Sequence, residues 1–512
     1  MRKENKSGTF GGAAALACAN IVCRILGFMF KIPLSNLIGS EGMGYFGLAT
    51  QVFGVAVFPA TGGLPTVLSR HIASKNEKAE PTLPLLKTIT PVFLLAGGIS
   101  ALIMGLLSST ICSLAGVLDA KPSVVALAPA VFFVSAESMY RSYFQGKALH
   151  TPGAWAQTFE AGAKLVVGTF AAYFLYLRGY TAAVVASGAA FGVTFGTAVA
   201  AFVLRLKLFS EGRVRCAPAA VGMRKRLVKE AVPITFFSGV MSIIGAFDAA
   251  VILNRIASLG NTSGEAASLY GIYTGYAVTV YALPFALTGA ISSWVSPIVA
   301  GAYASGNGER LSKGILTALK LVSAIGCFAA VCYLLLPREL LGIFFSRRET
   351  ELAAPLLALL SPSVVLAPML SVFSSALFGM EKTKPAVVGG VVSGVIKLGV
   401  NYVLVGIPVV GIAGAPIAAG ISFLIGLIIS GVGVFGVLRS MNAKLRLVRG
   451  LSLPMLCGVG SACSAFWICE FLTESVGERI SAVIAVFVGS AVLAAILRLL
   501  FPKRKNDECK GT

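Results

Sequence analysis

Histidine is nearly absent from this chain: His71 and His150 are the two in 512 residues. Both fall at the ends of apolar stretches, which excludes histidine-based catalysis or metal binding inside them. Charge is scarce as well, at 12% of residues against 56% hydrophobic. Ordinary soluble domains carry about twice that share of charge, so the chain falls among multi-span membrane proteins. The ten cysteines form no CxxC pair. Most of them (Cys18, Cys23, Cys112, Cys327, Cys332, Cys457, Cys463, Cys469) sit in apolar segments as small hydrophobic filler, not as a disulfide framework or a metal site. No GxxxxGK[ST] phosphate loop occurs, which excludes ATP hydrolysis by that route. No segment between apolar runs exceeds roughly 25 residues, too short for a catalytic domain. The composition therefore describes a membrane transporter without cofactor or metal, not an enzyme.

What is present is apolar length. Fourteen stretches of helical length run at 9–38, 43–70, 88–117, 122–147, 151–177, 180–206, 230–257, 267–297, 312–336, 352–379, 384–406, 410–437, 450–472 and 479–501. Arg2 and Lys3 before the first run imitate a signal peptide, but the run is too long and is charged in its second half, so it reads as a retained helix. The net charge of +21 does not point to nucleic acid, because its basic residues sit in short loops between spans. Alternating the spans from an inside N-terminus, with charges toward span ends (Arg141 among them) counted to the adjoining loop, puts 29 of the 42 Lys and Arg inside, seven outside and six within spans. That bias predicts a multi-pass protein of the plasma membrane with both termini cytoplasmic.

The longest basic loop, 207–229, divides two halves that repeat each other. Gly146, Pro152 and Lys164 in the first half match Gly379, Pro385 and Lys397 in the second, with identical spacing. A weaker echo relates Gly44-Tyr45-Phe46-Gly47 to Leu269-Tyr270-Gly271-Ile272. Six helices per repeat insert the same way round, which predicts an all-α fold of fourteen transmembrane helices in two six-helix lobes related by a parallel repeat, plus two C-terminal helices. The expected boundaries are 1–215 for the N-lobe, 216–440 for the C-lobe, and 441–512 for the last two helices and a basic tail.

Polar residues at membrane depth supply the candidate site. On a helix turning ~100° per residue, Asn20, Arg24 and Lys31 fall on one stripe of the first span. A buried cation normally faces a bundle interior or a wet cavity, so the stripe suits an anionic ligand. The plainer alternatives are that Lys31 reaches an interface and that one neighbouring acid neutralises Arg24. Asp248 in span seven and Asn401 in span eleven share a level near Arg24. Asp248 is either the counter-ion of Arg24 or a cation or proton site. Glu160 and Lys164 stand four apart on one helix face, as a structural ion pair does, whereas Lys397 needs a partner from another helix or from a ligand. Gly62-Gly63-Leu64-Pro65 breaks span two, and Leu283-Pro284 breaks span eight at a comparable place; such paired breaks point to a binding region.

Several of these pieces, in order, resemble the multidrug/oligosaccharidyl-lipid/polysaccharide exporter superfamily. They are Arg24-Ile25-Leu26-Gly27-Phe28 with Lys31-Ile32-Pro33, Gly39-Ser40-Glu41-Gly42, Thr61 through Pro65, Arg141 through Gly146, Thr151-Pro152, Lys384-Pro385 and Asn401-Tyr402. Within it the chain is most similar to the stage V sporulation protein B branch, relatives of the MurJ-type lipid II flippases. The resemblance implies alternating access of an undecaprenyl-pyrophosphate-linked saccharide from the inner to the outer leaflet, with Arg24 holding the pyrophosphate. It also implies a Na⁺ or H⁺ site at the seventh, eleventh and twelfth helices, where Asp248 and Asn401 occupy the first two. Two departures stand out: the twelfth span offers Ser422 and Ser430 but no carboxylate, and Phe30 stands near a position where the branch leads one to expect another arginine. The competing classes are an ion-coupled multidrug exporter, whose cavity would be dominated by acids, and a non-transporting scaffold for cell-wall enzymes. The phospholipid bilayer is the other expected partner, nucleic acid is not one, and oligomeric state is left open.

Overall fold

The computed structural model describes residues 6–78, 80–210, 221–443 and 447–500; the side chains of residues 6–21, Arg24, Val221, Phe237, Val448, Arg449, Val476 and Leu500 are outside that description. In chain order the helices are α1 (Lys6–Thr61), α2 (Gly63–Glu77), α3 (Leu83–Leu106), α4 (Ser108–Leu114), α5 (Lys121–Gly146), α6 (Thr151–Leu177), α7 (Ala182–Ser210), α8 (Val221–Ala257), α9 (Ser263–Gly271), α10 (Val278–Tyr281), α11 (Phe285–Ala304), α12 (Gly308–Leu335), α13 (Pro337–Gly342), α14 (Arg347–Leu359), α15 (Ser361–Gly379), α16 (Thr383–Leu404), α17 (Gly414–Ser440), α18 (Leu447–Val476) and α19 (Glu478–Leu500). Among the described residues, twelve stretches are long and apolar enough to cross a membrane. They accommodate fourteen spans. The first two spans form one run bent where Gly39 takes φ 66°, and α6 has the length but carries Glu160 and Lys164, which lower its hydropathy.

Three details differ from the expected spans. The segment Gly39 to Gly42 is a kink inside α1, because glycine alone takes that φ without strain. Span eight is not one helix: a π-turn at Ile272–Ala277 and a turn at Ala282–Pro284 divide it into α9, α10 and α11. Span ten is likewise split between α14 and α15, where Pro362 cannot donate a helical hydrogen bond. At the start of α9 the Thr262 hydroxyl accepts from the Glu265 amide, and the Thr262 amide donates to the Glu265 carboxylate at 2.8 Å. These hydrogen bonds hold Glu265 below the usual carboxylate range.

The chain forms two compact units. One comprises the residues up to Gly275 together with Leu398–Ile412, and the other comprises Tyr276–Lys397 and the residues from Ala413. In the first unit Leu68, Ile72, Phe93, Phe144, Leu204 and Leu227 join α2, α3, α5, α7 and α8 in a buried cluster. In the second unit Val299, Leu319, Val372, Phe373 and Val434 join α11, α12, α15 and α17 in another.

The repeat is visible inside each unit as one local structure built twice. Helix α5 ends at Gly146, Ala148 takes φ 59°, the Leu149 amide returns to the Phe144 carbonyl at 2.9 Å, and Pro152 opens α6. Helix α15 ends at Gly379, Glu381 takes φ 57°, the Lys382 amide returns to the Leu377 carbonyl at 3.0 Å, and Pro385 lies in the first turn of α16. Both glycines press against a serine backbone: a Cβ at Gly146 would meet Ser69 O at 2.7 Å, and one at Gly379 would meet Ser296 O at 2.5 Å.

Small residues bring other helices together. Gly188, Gly192 and Gly196 recur every fourth residue on α7 and face Ala172, Gly168 and Glu160 of α6. The echo between spans two and eight is a contact: a Cβ on Gly44 would overlap Ala267 O, one on Gly271 would overlap Ser40 O, and Ser40 Oγ lies 2.7 Å from Ser268 Oγ. We predict that Gly192→Leu overpacks the α6–α7 seam by about 1–3 kcal/mol and lowers the melting temperature of the detergent-solubilised protein. Gly436→Ala, where a Cβ meets nothing within 4 Å, should not. Equal melting of both variants would remove the glycine stripe as the determinant of that seam.

Candidate functional site

The structure brings together two of the candidate residues at high burial. Asn401, fully buried on α16, donates from Nδ2 to Asp248 Oδ1 on α8 at 2.6 Å. Its own Oδ1 is buried with no hydrogen-bond partner among the described residues, where an unmet acceptor costs free energy. Buried Tyr270 and Tyr273 lie close enough to Asp248 to feel its charge. Two turns beyond Asp248, Arg255 fastens the same pair of helices. Its Nε donates to Tyr402 O at 2.9 Å, its guanidinium lies 4.0 Å from the Tyr402 ring centroid, and Gly406 leaves room for it. Sequence reasoning missed Tyr273 and Arg255; the seven-residue spacing of Arg255 from Asp248, which puts them on one helix face, was the available signal.

A second polar cluster lies between α1, α5 and α6. Arg141 donates to Glu137 one turn away on α5, and Glu137 is 4% exposed. Glu160 of α6 feels both Arg141 and Lys164, so the expected Glu160–Lys164 pair is part of a larger network. Lys164 Nζ sits 5.0 Å from the centroid of the Phe30 ring, and Lys31 is near enough to Lys164 for their charges to interact. Phe30 stands where an arginine was to be expected; it is 1% exposed and packs edge-on against Phe46 at 6.1 Å. Arg141, counted in sequence as a loop charge, is a helix residue of this network, which its spacing of four from Glu137 already suggested.

The remaining candidates are placed as follows. Asn20 and Arg24 belong to α1, but their side chains lie outside the described residues. Pro65 sits in the first turn of α2, and the break before it is filled by α8: Gly63 N donates to Thr235 Oγ1 at 3.0 Å, and a Cβ on Gly62 would overlap Ser238 Oγ. Lys397 is half-buried on α16, one turn before Asn401. In the twelfth span Ser422 Oγ donates to its own helix at Ala419 O, and Ser430 Oγ is buried with no hydrogen-bond partner among the described residues. Among the described residues no group of three His, Cys, Asp or Glu could hold a metal ion.

An all-helical chain of membrane-spanning length, built on a parallel repeat with ionisable groups paired inside it, defines the class of multi-pass membrane transporters. Solved structures share the fold. A lipid II flippase MurJ in an inward closed conformation matches with a TM-score of 0.72 at 15% identity, over 95% of this chain and 98% of that one. An inward-facing multidrug resistance MATE family transporter of the MOP superfamily matches with a TM-score of 0.62 at 16% identity, over 83% and 95%. The chain belongs to the polysaccharide biosynthesis protein family, whose model matches residues 10–303, within the MOP exporters; the MatE model matches 274–403. Among its relatives are stage V sporulation protein B of Bacillus subtilis (strain 168), 23% identical over 98% of this chain and 96% of that protein, and the lipid II flippase MurJ of the same organism, 24% identical over 95% and 93%.

The charge network generates a stability prediction. Glu137→Ala leaves Arg141 without its buried carboxylate and should cost about 3 kcal/mol, the lower part of the range for orphaning a buried charge, because Arg141 keeps some exposure. Adding Arg141→Met should restore most of it. Thermal unfolding of the single and double variants is the measurement, and a double variant no more stable than the single would remove the pairing as the cause.

Proposed function

We propose that the protein moves an undecaprenyl-pyrophosphate-linked saccharide, lipid II or a related cell-wall precursor, from the inner to the outer leaflet by alternating access. The sign of the charge carried by the first span supports this reading. The first span presents Asn20, Arg24 and Lys31 on one stripe, a cationic wall suited to a pyrophosphate, whereas an exporter of cationic drugs needs a cavity dominated by acids. The full-length relatives named for lipid II flipping and for sporulation support the substrate class. In this reading Arg24 grips the headgroup, Lys31, Lys397 and Pro65 complete its surroundings, and both termini lie in the cytoplasm.

Coupling falls to Asp248 and Asn401. A carboxylate beside a buried amide oxygen that has no hydrogen-bond partner among the described residues offers Na⁺ two oxygen ligands, or a proton a carboxylate to bind. Tyr270 and Tyr273 close the surroundings of the carboxylate, and Arg255 holds α8 and α16 at the right separation. Loading the ion would neutralise Asp248.

Complementation of cells depleted of their lipid II flippase tests the function directly; failure to rescue, with the protein inserted, would count against it. Arg24→Ala should abolish flipping in a leaflet-accessibility assay with abundance intact. Arg24→Lys should retain part of it, since lysine keeps the charge but lacks the planar fork that grips two phosphate oxygens. Asp248→Asn should abolish dependence on the ion gradient and leave headgroup affinity nearly unchanged. A gradient dependence equal to that of the parent protein would remove Asp248 from coupling.

A further inference from the structure

The seam between α6 and α7 is tight in its middle, where Gly192 meets Gly168 and Gly196 meets Glu160 O, and it opens toward the end that borders the basic loop. There the first turns of α6 and the last turns of α7 part around a cavity of about 710 Å³. Its walls are Trp155, Phe159, Val203 and Leu206, and its rim includes Thr151 and Lys207. Trp155 is 58% exposed and Phe159 50%, with their rings tilted together at 6.0 Å. Lys207 is exposed and has no acidic partner among the described residues, and none of the described lining residues is an acid. Arg205, its near neighbour, does not line the cavity and is stacked on the Phe209 ring at 5.5 Å.

We propose that this groove is a binding site for an anionic phospholipid of the bilayer, independent of the transported substrate. An apolar trough on the outer face of two membrane helices is the shape an acyl chain fills, and its volume lies in the range of small-molecule sites. Aromatic side chains exposed at the end of a span mark the headgroup level, and Lys207 supplies the charge that selects a phosphate with no compensating cation. A zwitterionic lipid fills the trough equally well but brings its own ammonium group to Lys207. Selection for the anionic lipid therefore comes from one lysine, while retention comes from the apolar walls.

The chain has three tryptophans, Trp155, Trp294 and Trp467, so quenching of Trp155 can be isolated by difference with a Trp155→Phe variant. The full-length protein is reconstituted in phosphatidylcholine vesicles containing graded brominated phosphatidylglycerol or brominated phosphatidylcholine. The Trp155 component should reach half-quenching at about fivefold lower mole fraction of the anionic lipid, the preference expected of one lysine at a membrane surface. Lys207→Gln should bring the two curves together, and Val203→Phe, which fills the trough, should weaken quenching by both lipids. Coincident curves in the parent protein, a preference that survives Lys207→Gln, or quenching unaffected by Val203→Phe would each overturn the proposal.

Discussion

A bilayer interior offers no water to a polar group, and that single condition governs how this chain is put together. Each ionisable side chain carried to membrane depth needs a partner from the protein or from a ligand. The chain answers in two places with different logic. Between α1, α5 and α6, Glu137, Arg141, Glu160, Lys164 and Lys31 form a mixed network, packed around the ring of Phe30. Between α8 and α16 the Asp248 carboxylate accepts from the Asn401 amide, whose oxygen has no hydrogen-bond partner among the described residues.

The same condition explains where the backbone departs from regular helix. A break frees amide and carbonyl groups that lipid cannot satisfy, so each must lie against protein. At Gly62–Gly63 the Thr235 hydroxyl takes the freed amide, and the absent side chains let α8 approach. In span eight the π-turn contains Tyr273 and follows Tyr270, the two tyrosines that feel the charge of Asp248. π-turns inside helices recur at functional sites, and here one interrupts the span that faces the second half of α1. Glycine does the complementary work: where two backbones touch, at Gly44 with Ala267 or Gly192 with Gly168, a methyl group would overlap the neighbouring helix.

Duplication shaped the local structure more closely than residue identity suggests. The turns after Gly146 and Gly379 share the glycine stop, the left-handed residue two positions on, the returning hydrogen bond and the proline that reopens the helix. Ala148 and Glu381 have nothing in common as side chains, yet they adopt the same φ. The requirement is set by the reversal between helices, and each residue meets it at a modest cost in strain.

The order of residues by itself determined the membrane class, an all-helical succession of apolar spans, the repeat and the level of Asp248 and Asn401. Hydropathy and spacing along a chain are one-dimensional quantities, and depth in a bilayer is one-dimensional too. The kink at Gly39, the split of spans eight and ten and the role of Arg141 were less legible, because a long apolar run hides a local break and a charge near a span end reads as a loop. Only the tertiary structure decided which polar groups meet. Asn401 reaches Asp248 across two helices remote in sequence, Arg255 clamps Tyr402 beside them, and Lys164 turns to Phe30 as well as to Glu160. Hydropathy fixes how deep a side chain lies, but the neighbour it faces depends on how each helix is rotated and how closely its glycines let the next backbone come, and those are set by the packing of the whole bundle.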